Sequence, residues 1–387
     1  MCALRTTLLV FIGQLFFAFG IAHAQQSTVP LNSAKIIAPD RYTENGALFF
    51  GGPDKAPYHL RNVIGNQIDT QPKGGNIHFA LYYFRDPVLA EKLVQAHQRG
   101  VNVRLVIEES PRQKHANDDM IEYLRLAGLS NELRLIKSRD SAIKGRLHAK
   151  IFAFSHPVPN VIIGSFNPSG NNTVDDPLIA KIGDQDRGHN LLYQIYDLTL
   201  VKGLVDYVEN LSQKNGPLPE LRSAENILTS GNASIFIFPR TDKNIGVDEI
   251  SNASEDAKII GAISHMKKHP MIKALKKAAR QGANVTLIVH ETSRRVPFYV
   301  VLDLRLAGVN IERYKGGSSF PMHAKFLLLE DQGMKSSWLG SYNWNTASRN
   351  KNNDVLLRSY DPALFDALSD RFDFIESEID RMAVNAN

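Results

Sequence analysis

The stretch Arg99-Gly100-Val101-Asn102-Val103-Arg104-Leu105-Val106-Ile107 returns 182 residues later as Gln281-Gly282-Ala283-Asn284-Val285-Thr286-Leu287-Ile288-Val289. Arg125-Leu126-Ala127-Gly128 is echoed by Arg305-Leu306-Ala307-Gly308 in the same order. Ordered landmarks whose spacing drifts by a few residues are the mark of a duplicated domain with loops of different length. Around the first echo, Ile77 to Phe84 is apolar and aromatic and reads as a strand. Asp86 to Gln98 has apolar residues at helical spacing behind a capping Asp, and Val101 to Ile107 is again a strand. The second half repeats this β-α-β unit with Lys258 to Ile263, a helix from Pro270 to Arg280, and Asn284 to Val289.

Alternation of this kind predicts an α/β fold of two homologous lobes, each a mixed, mostly parallel β-sheet flanked by helices. Gly216-Pro217 and Pro219, in a polar stretch, mark the linker. The expected organisation is a signal peptide over 1–24, an N-terminal extension over 25–41, a first lobe over 42–216, a linker over 217–232 and a second lobe over 233–387. First strands are expected at Ala47 to Phe50 and Ser234 to Phe238.

A second repeat carries chemistry. His148-Ala149-Lys150 is followed by Gly164-Ser165-Phe166-Asn167, and His323-Ala324-Lys325 by Gly340-Ser341-Tyr342-Asn343. On an extended segment, residues two apart point to one side, so each His and its Lys face the same way. The Ser hydroxyl and Asn amide bring donors suited to phosphate oxygens. An isolated His-x-Lys is usually a half-exposed strand edge; its recurrence with Gly-Ser-x-Asn in a duplicated frame points instead to one composite active site between the lobes.

These cassettes resemble the phospholipase D superfamily, whose motif is His-x-Lys, four residues, Asp, then Gly-Ser-x-Asn, present twice in two-lobed members. The motif Asp is absent from both copies: Ser155 stands there in the first, and Glu330, followed by Asp331, in the second. That Asp is mostly structural in the family. The resemblance implies a metal-free and cofactor-free mechanism in which one His attacks phosphorus to form a phosphohistidine and the other protonates the leaving alcohol. Lys150 and Lys325 would neutralise the non-bridging oxygens, with Ser165, Asn167, Ser341 and Asn343 adding hydrogen bonds. A further acidic residue orients the imidazole in the family. By chain position, Asp354 would support His323 and Asn190 would orient His148, with the choice of nucleophile left open.

Met1 to Arg5 is a short basic start, Thr7 to Ile21 an apolar run, and Ala22-His23-Ala24 a cleavage signal, so secretion or a periplasmic location is expected. The only cysteine, Cys2, lies in that segment, which excludes disulfides and thiolate metal sites from the mature chain. The net charge of +5 includes Arg5, and no concentrated basic tract marks a dedicated nucleic-acid binder. His265 and His269 have the spacing of a helical metal pair, but Lys267 and Lys268 intervene and no acidic ligand is near; a solvated helix start is expected. Arg294-Arg295-Val296-Pro297-Phe298-Tyr299 joins charge to aromatics, a pattern compatible with transient membrane-surface contact or with helix-start packing. Trp344 would line the pocket mouth or fill the core.

The leading expectation is a hydrolase of phosphoric diesters of the phospholipase D type, acting on a glycerophospholipid to give phosphatidic acid and an alcohol, as a monomer with two pseudo-symmetric lobes. A metal-independent exported nuclease, with nucleic acid as the alternative substrate, is the runner-up. A phosphatidyl transferase and a catalytically silent phosphate-binding protein follow.

Overall fold

The computed structural model describes residues 37–137, 145–169, 179–213 and 223–385. The expected signal peptide and nearly all of the 25–41 extension lie outside the described residues, as does Pro217 of the expected linker. The first half supplies strands β1 (Arg41–Tyr42), β2 (Gly46–Phe50), β3 (Asn76–Leu81), β4 (Asn102–Glu108), β5 (Leu133–Ile136), β6 (Lys150–Phe154), β7 (Asn160–Gly164) and β8 (Leu191–Ile195). The second supplies β9 (Ile227–Ser230), β10 (Ala233–Ile237), β11 (Lys258–Ile263), β12 (Met266–Lys267), β13 (Asn284–His290), β14 (Asn310–Tyr314), β15 (Lys325–Asp331), β16 (Met334–Gly340), β17 (Trp344–Asn345) and β18 (Val355–Ser359). The helices are α1 (His59–Asp69), α2 (Pro87–Gln98), α3 (Asp118–Leu124), α4 (Ile179–Ile182), α5 (Leu198–Ser212), α6 (Val247–Ser251), α7 (Pro270–Arg280), α8 (Phe298–Arg305), α9 (Thr346–Asn350) and α10 (Pro362–Asn385).

Two eight-stranded sheets have matching order, β1-β2-β8-β7-β6-β3-β4-β5 and β9-β10-β18-β16-β15-β11-β13-β14. Each is mixed, but not mostly parallel as expected. Only β3-β4-β5 and β11-β13-β14 run parallel, and the other five pairings in each sheet are antiparallel. The expectation followed the two β-α-β crossovers, which are real. The strands after them return through hairpins, such as the Gln332-Gly333 turn with both residues at positive φ between β15 and β16. Because both faces of each sheet are covered, β6 and β7 are buried throughout and read like parallel strands. Ile227–Ser230, inside the stretch taken as linker, is an edge strand paired to β10.

Side-chain alternation divides the core. On β3, Phe79 and Leu81 pack with α1 and α2, whereas Ala80 faces the opposite side. On β15, Leu327 and Leu329 join the α7–α8 side, and Phe326 and Leu328 the other. The inward faces of both sheets meet in one apolar cluster with Leu204 and Val208 of α5 and Leu364 and Leu368 of α10. One continuous core therefore holds the two sheets at fixed register, and the ends of β6 and β15 that carry His-x-Lys face each other. Ile36–Asn387 behaves accordingly as a single compact unit.

Candidate active site

Backbone bonds tie the two cassettes together reciprocally. His148 N–H donates to the Asn353 carbonyl (2.8 Å) and Asn353 N–H to the Arg146 carbonyl (2.8 Å). In the other direction, His323 N–H donates to the His189 carbonyl and His189 N–H to the Pro321 carbonyl, both at 3.0 Å. Each histidine segment thus pairs as an isolated bridge with the other half of the chain.

This exchange overturns the expected pairing of the orienting residues. Asp354, next to Asn353, accepts from His148 Nδ1 at 2.7 Å, and Asn190, next to His189, from His323 Nδ1 at 2.9 Å. Position along the chain suggested that each half orients its own histidine; the bridges place each residue against the histidine of the other half. Asn190 Nδ2 donates to the Gln185 carbonyl (2.7 Å), which fixes its Oδ1 toward His323 and makes His323 Nδ1 the donor. Both rings are thereby left with Nε2 for chemistry.

The serines do not reach the cavity as donors to a ligand, which corrects a second expectation. Ser341 Oγ donates to Asp354 Oδ1 (2.7 Å) and accepts from Val355 N–H, while Ser165 Oγ donates to Asn190 Oδ1 (2.8 Å) and accepts from Leu191 N–H. They fix the orienting residues. Asn167 and Asn343 do line the cavity, each with a buried Oδ1 that lacks a partner. Lys150 and Lys325, fully buried, donate from Nζ to the carbonyls of His148 and His323 at 2.6 Å.

Burial and crowded positive charge dominate the electrostatics. His148 is pushed down to about 4 by burial and by Lys150, with Asp354 opposing, and Lys150 is pushed down to about 7 by burial. His323 and Lys325 are driven well below their ordinary values, first by burial and then by Lys325 and Arg295 for the histidine, and by Lys150 and Arg295 for the lysine. Burial works against the charge of Asp354 too, but His148 and Lys150 more than offset it and hold the carboxyl below its usual range. A site this rich in suppressed cations gains most from an anion.

The cavity, about 200 Å³, is also lined by Tyr82, Arg112, Arg146, Gln185, Arg294 and Arg295, none of which was singled out from the sequence as catalytic. The Tyr82 ring lies 4.9 Å from that of His148, and its hydroxyl accepts from Arg112 N–H at 2.7 Å. Glu108, at the end of β4, accepts from Leu147 N–H (2.9 Å) and so braces the residue before His148. His189 is held by Arg371 (3.0 Å) and Glu378 (2.8 Å) of α10, which steadies the segment that presents Asn190. A signal was available. Tyr82, Arg112, Arg294 and Arg295 all follow the carboxyl ends of parallel strands, where α/β sheets place ligands.

Other candidates fall elsewhere. His269 caps α7 by accepting from Met271 N–H and bonds the Tyr342 hydroxyl (2.8 Å), so it is a buried cap, while His265 lines the cavity. Trp344 packs on His269 and Tyr342 in the core. At the far end of β6, Ser155 at the motif Asp position accepts from Asn76 N–H, a structural use of that position; at the end of β15, Asp331, one residue past it, accepts from Ser254.

The chain matches the family described as "Cardiolipin synthase, PLD-like domain" over residues 70–186 and 247–375, more than half of its length. No curated protein matches it significantly. Among solved structures, phosphatidylserine synthase from Haemophilus influenzae is similar, with a TM-score of 0.58, 13% identity, and coverage of 86% of each chain. Polyphosphate kinase from Porphyromonas gingivalis gives a TM-score of 0.56 at 14% identity over 86% of this chain, which spans only 46% of that enzyme. These identities speak to the fold alone. With the doubled cassette, the matching sheets and the family match in both halves, the chain belongs to the phospholipase D superfamily, in its phospholipase D-like domain family of the cardiolipin synthase type.

Proposed function

We propose that the protein is an exported phospholipase D-type phosphodiesterase that cleaves the head-group diester of a glycerophospholipid. The observation that carries the chemistry is the pair of imidazoles, each anchored by the opposite half, that line one cavity, with the buried Lys150 and Lys325 two residues beyond them in the chain. His148 is the nucleophile. Asp354 keeps the proton on its Nδ1 and stabilises the positive charge that develops on the ring as Nε2 bonds to phosphorus. The P–O bond to the head group breaks, and the departing oxygen takes its proton from Nε2 of His323, which holds it as an imidazolium once the bound anionic diester has raised the ring's affinity for a second proton. Asn190 is neutral and stabilises that imidazolium less, which makes His323 the stronger acid. Water then attacks phosphorus, His323 recovers a proton from it, and the N–P bond breaks to leave phosphatidic acid. Lys150, Lys325, Asn167 and Asn343 hold the non-bridging oxygens throughout.

A lipid substrate is favoured by α8. Phe298, Tyr299 and Leu302 are exposed there, as is Leu306 at its C-terminal end, and Phe298 follows Arg295 of the cavity wall by three residues, a span of at most about 10 Å. Such a face suits insertion at a bilayer surface. Because one chain supplies both histidines, a monomer suffices. The reaction needs no metal, and export rests on the 1–24 segment. Incubating the mature protein in EDTA with phospholipid vesicles, and separately with DNA, tests the proposal. Head-group release that survives EDTA is expected, whereas cleavage of DNA alone would transfer the protein to the nuclease branch.

A further inference from the structure

Arg295 is 6% exposed, yet its guanidinium makes only two bonds, each 3.3 Å long, to Ser264 Oγ and to the Ile182 carbonyl. Its Nε is buried without a partner, and no described carboxylate forms an ion pair with it. Burying a guanidinium so poorly satisfied is unfavourable unless a ligand completes it. The duplicated frame indicates that the fold does not require it. Glu109-Ser110-Pro111-Arg112-Gln113 in the first half corresponds to Glu291-Thr292-Ser293-Arg294-Arg295 in the second, so a neutral Gln113 occupies the matching place.

The space before Arg295 has a distinct character. A second cavity of about 480 Å³ opens beside the catalytic one and shares Arg112, His265, Arg294 and Arg295 with it, adding Lys267 and Lys268. Among the described residues, no Asp or Glu lines either cavity. The charge of Arg295 also depresses both His323 and Lys325, so the two spaces are electrostatically continuous. Guanidinium forks bind phosphate oxygens in pairs, and five cations without a carboxylate form a stronger anion site than one diester needs.

We infer that Arg112, Arg294 and Arg295, with Lys267 and Lys268, form a second phosphate subsite, and that the preferred substrate is a phospholipid whose head group carries a further phosphate beyond the diester that is cut. This rests on the lipid reading of the catalytic site. The apolar α8 face that begins three residues after Arg295 favours a lipid over a polynucleotide, since a strand of nucleic acid would use the cations but not Phe298 or Leu302.

The test compares phosphatidylglycerol with phosphatidylglycerol phosphate in detergent micelles, using the mature chain and its Arg294→Gln and Arg295→Gln variants. The wild type is expected to prefer the second lipid by about tenfold or more in kcat/KM, chiefly through KM, and each variant to lose most of that preference. A wild-type ratio near one, or a ratio unchanged in both variants, would overturn the inference. Arg294 is exposed, so its variant should fold even if the buried Arg295 variant does not. Calorimetric binding of inorganic pyrophosphate separates the two layers of the proposal. Binding that weakens in the arginine variants supports the subsite even if neither lipid is cleaved, a result that sinks the lipid reading alone. Arginine-dependent cleavage of a DNA oligonucleotide would overturn the assignment of the subsite to a lipid.

Discussion

His148 and His323 occupy the same place in two copies of one fold, but one faces a carboxylate and the other an amide. Asp354 and Asn190 sit at matching positions, are held by matching serines, and meet the histidine of the opposite half at nearly equal distances, 2.7 and 2.9 Å. The backbone geometry is conserved between the halves while the charge is not. Duplication supplies two imidazoles in one cavity, and a single Asp-to-Asn difference gives them different electrostatic partners, on which the proposed division of tasks rests.

The comparison is broken most severely by deleting either ring. His148→Ala and His323→Ala are each expected to cost about 10⁴-fold or more in kcat with a substrate that has a poor leaving group, and the double variant little more, since the two act as a unit. Additive losses would mean that the histidines work independently. Exchanging the partners comes next. Asp354→Asn should lower kcat by about 10²-fold or more, while Asn190→Asp should cost less and raise the pH at which His323 loses its proton, extending the alkaline limb of the rate profile. Equal effects of the two exchanges would erase the division of roles.

Smaller effects sharpen the electrostatic side. The free site holds Lys150 at about 7 and His148 at about 4, below their ordinary values, so at neutral pH it carries fewer protons than the same groups in water. A bound phosphate should raise these values. Calorimetry in buffers of different ionisation enthalpy is therefore expected to show net proton uptake on binding inorganic phosphate at pH 7.5, with affinity falling as pH rises. Proton release would contradict it. At the smallest scale, Phe298→Ser with Leu302→Ser should weaken binding to vesicles severalfold and leave turnover of a soluble chromogenic diester within about twofold. Unchanged vesicle binding would remove α8 from any membrane role.

Much of this was legible in the residues. The landmark repeat at Arg99 and Gln281 located both β-α-β units, and the doubled His-x-Lys and Gly-Ser-x-Asn cassettes pointed to the histidines and asparagines that line the cavity and to two lysines buried beside the histidines in the chain. What escaped depends on contacts between the halves. That Asp354 serves His148 follows from the bridge between Leu147 and Asn353, 206 residues apart, which no local pattern encodes. That Ser165 and Ser341 support other side chains follows from how the chain turns back at Leu191 and Val355. The antiparallel majority was hidden for another reason: strands covered on both faces lose the polar alternation that tells the two arrangements apart. Arg295 was visible as part of a charged and aromatic run, but only its burial distinguishes a cavity wall from a helix start.

The division of labour is tested most directly by trapping the intermediate. The His323→Ala protein, mixed with a diester bearing a nitrophenolate leaving group that needs no acid, should release close to one equivalent of nitrophenol and then stall. Base-quenched peptide mass spectrometry should locate the phosphoryl adduct on His148. An adduct on His323 in the His148→Ala protein, with none on His148 in its counterpart, would contradict the assignment of His148 as nucleophile.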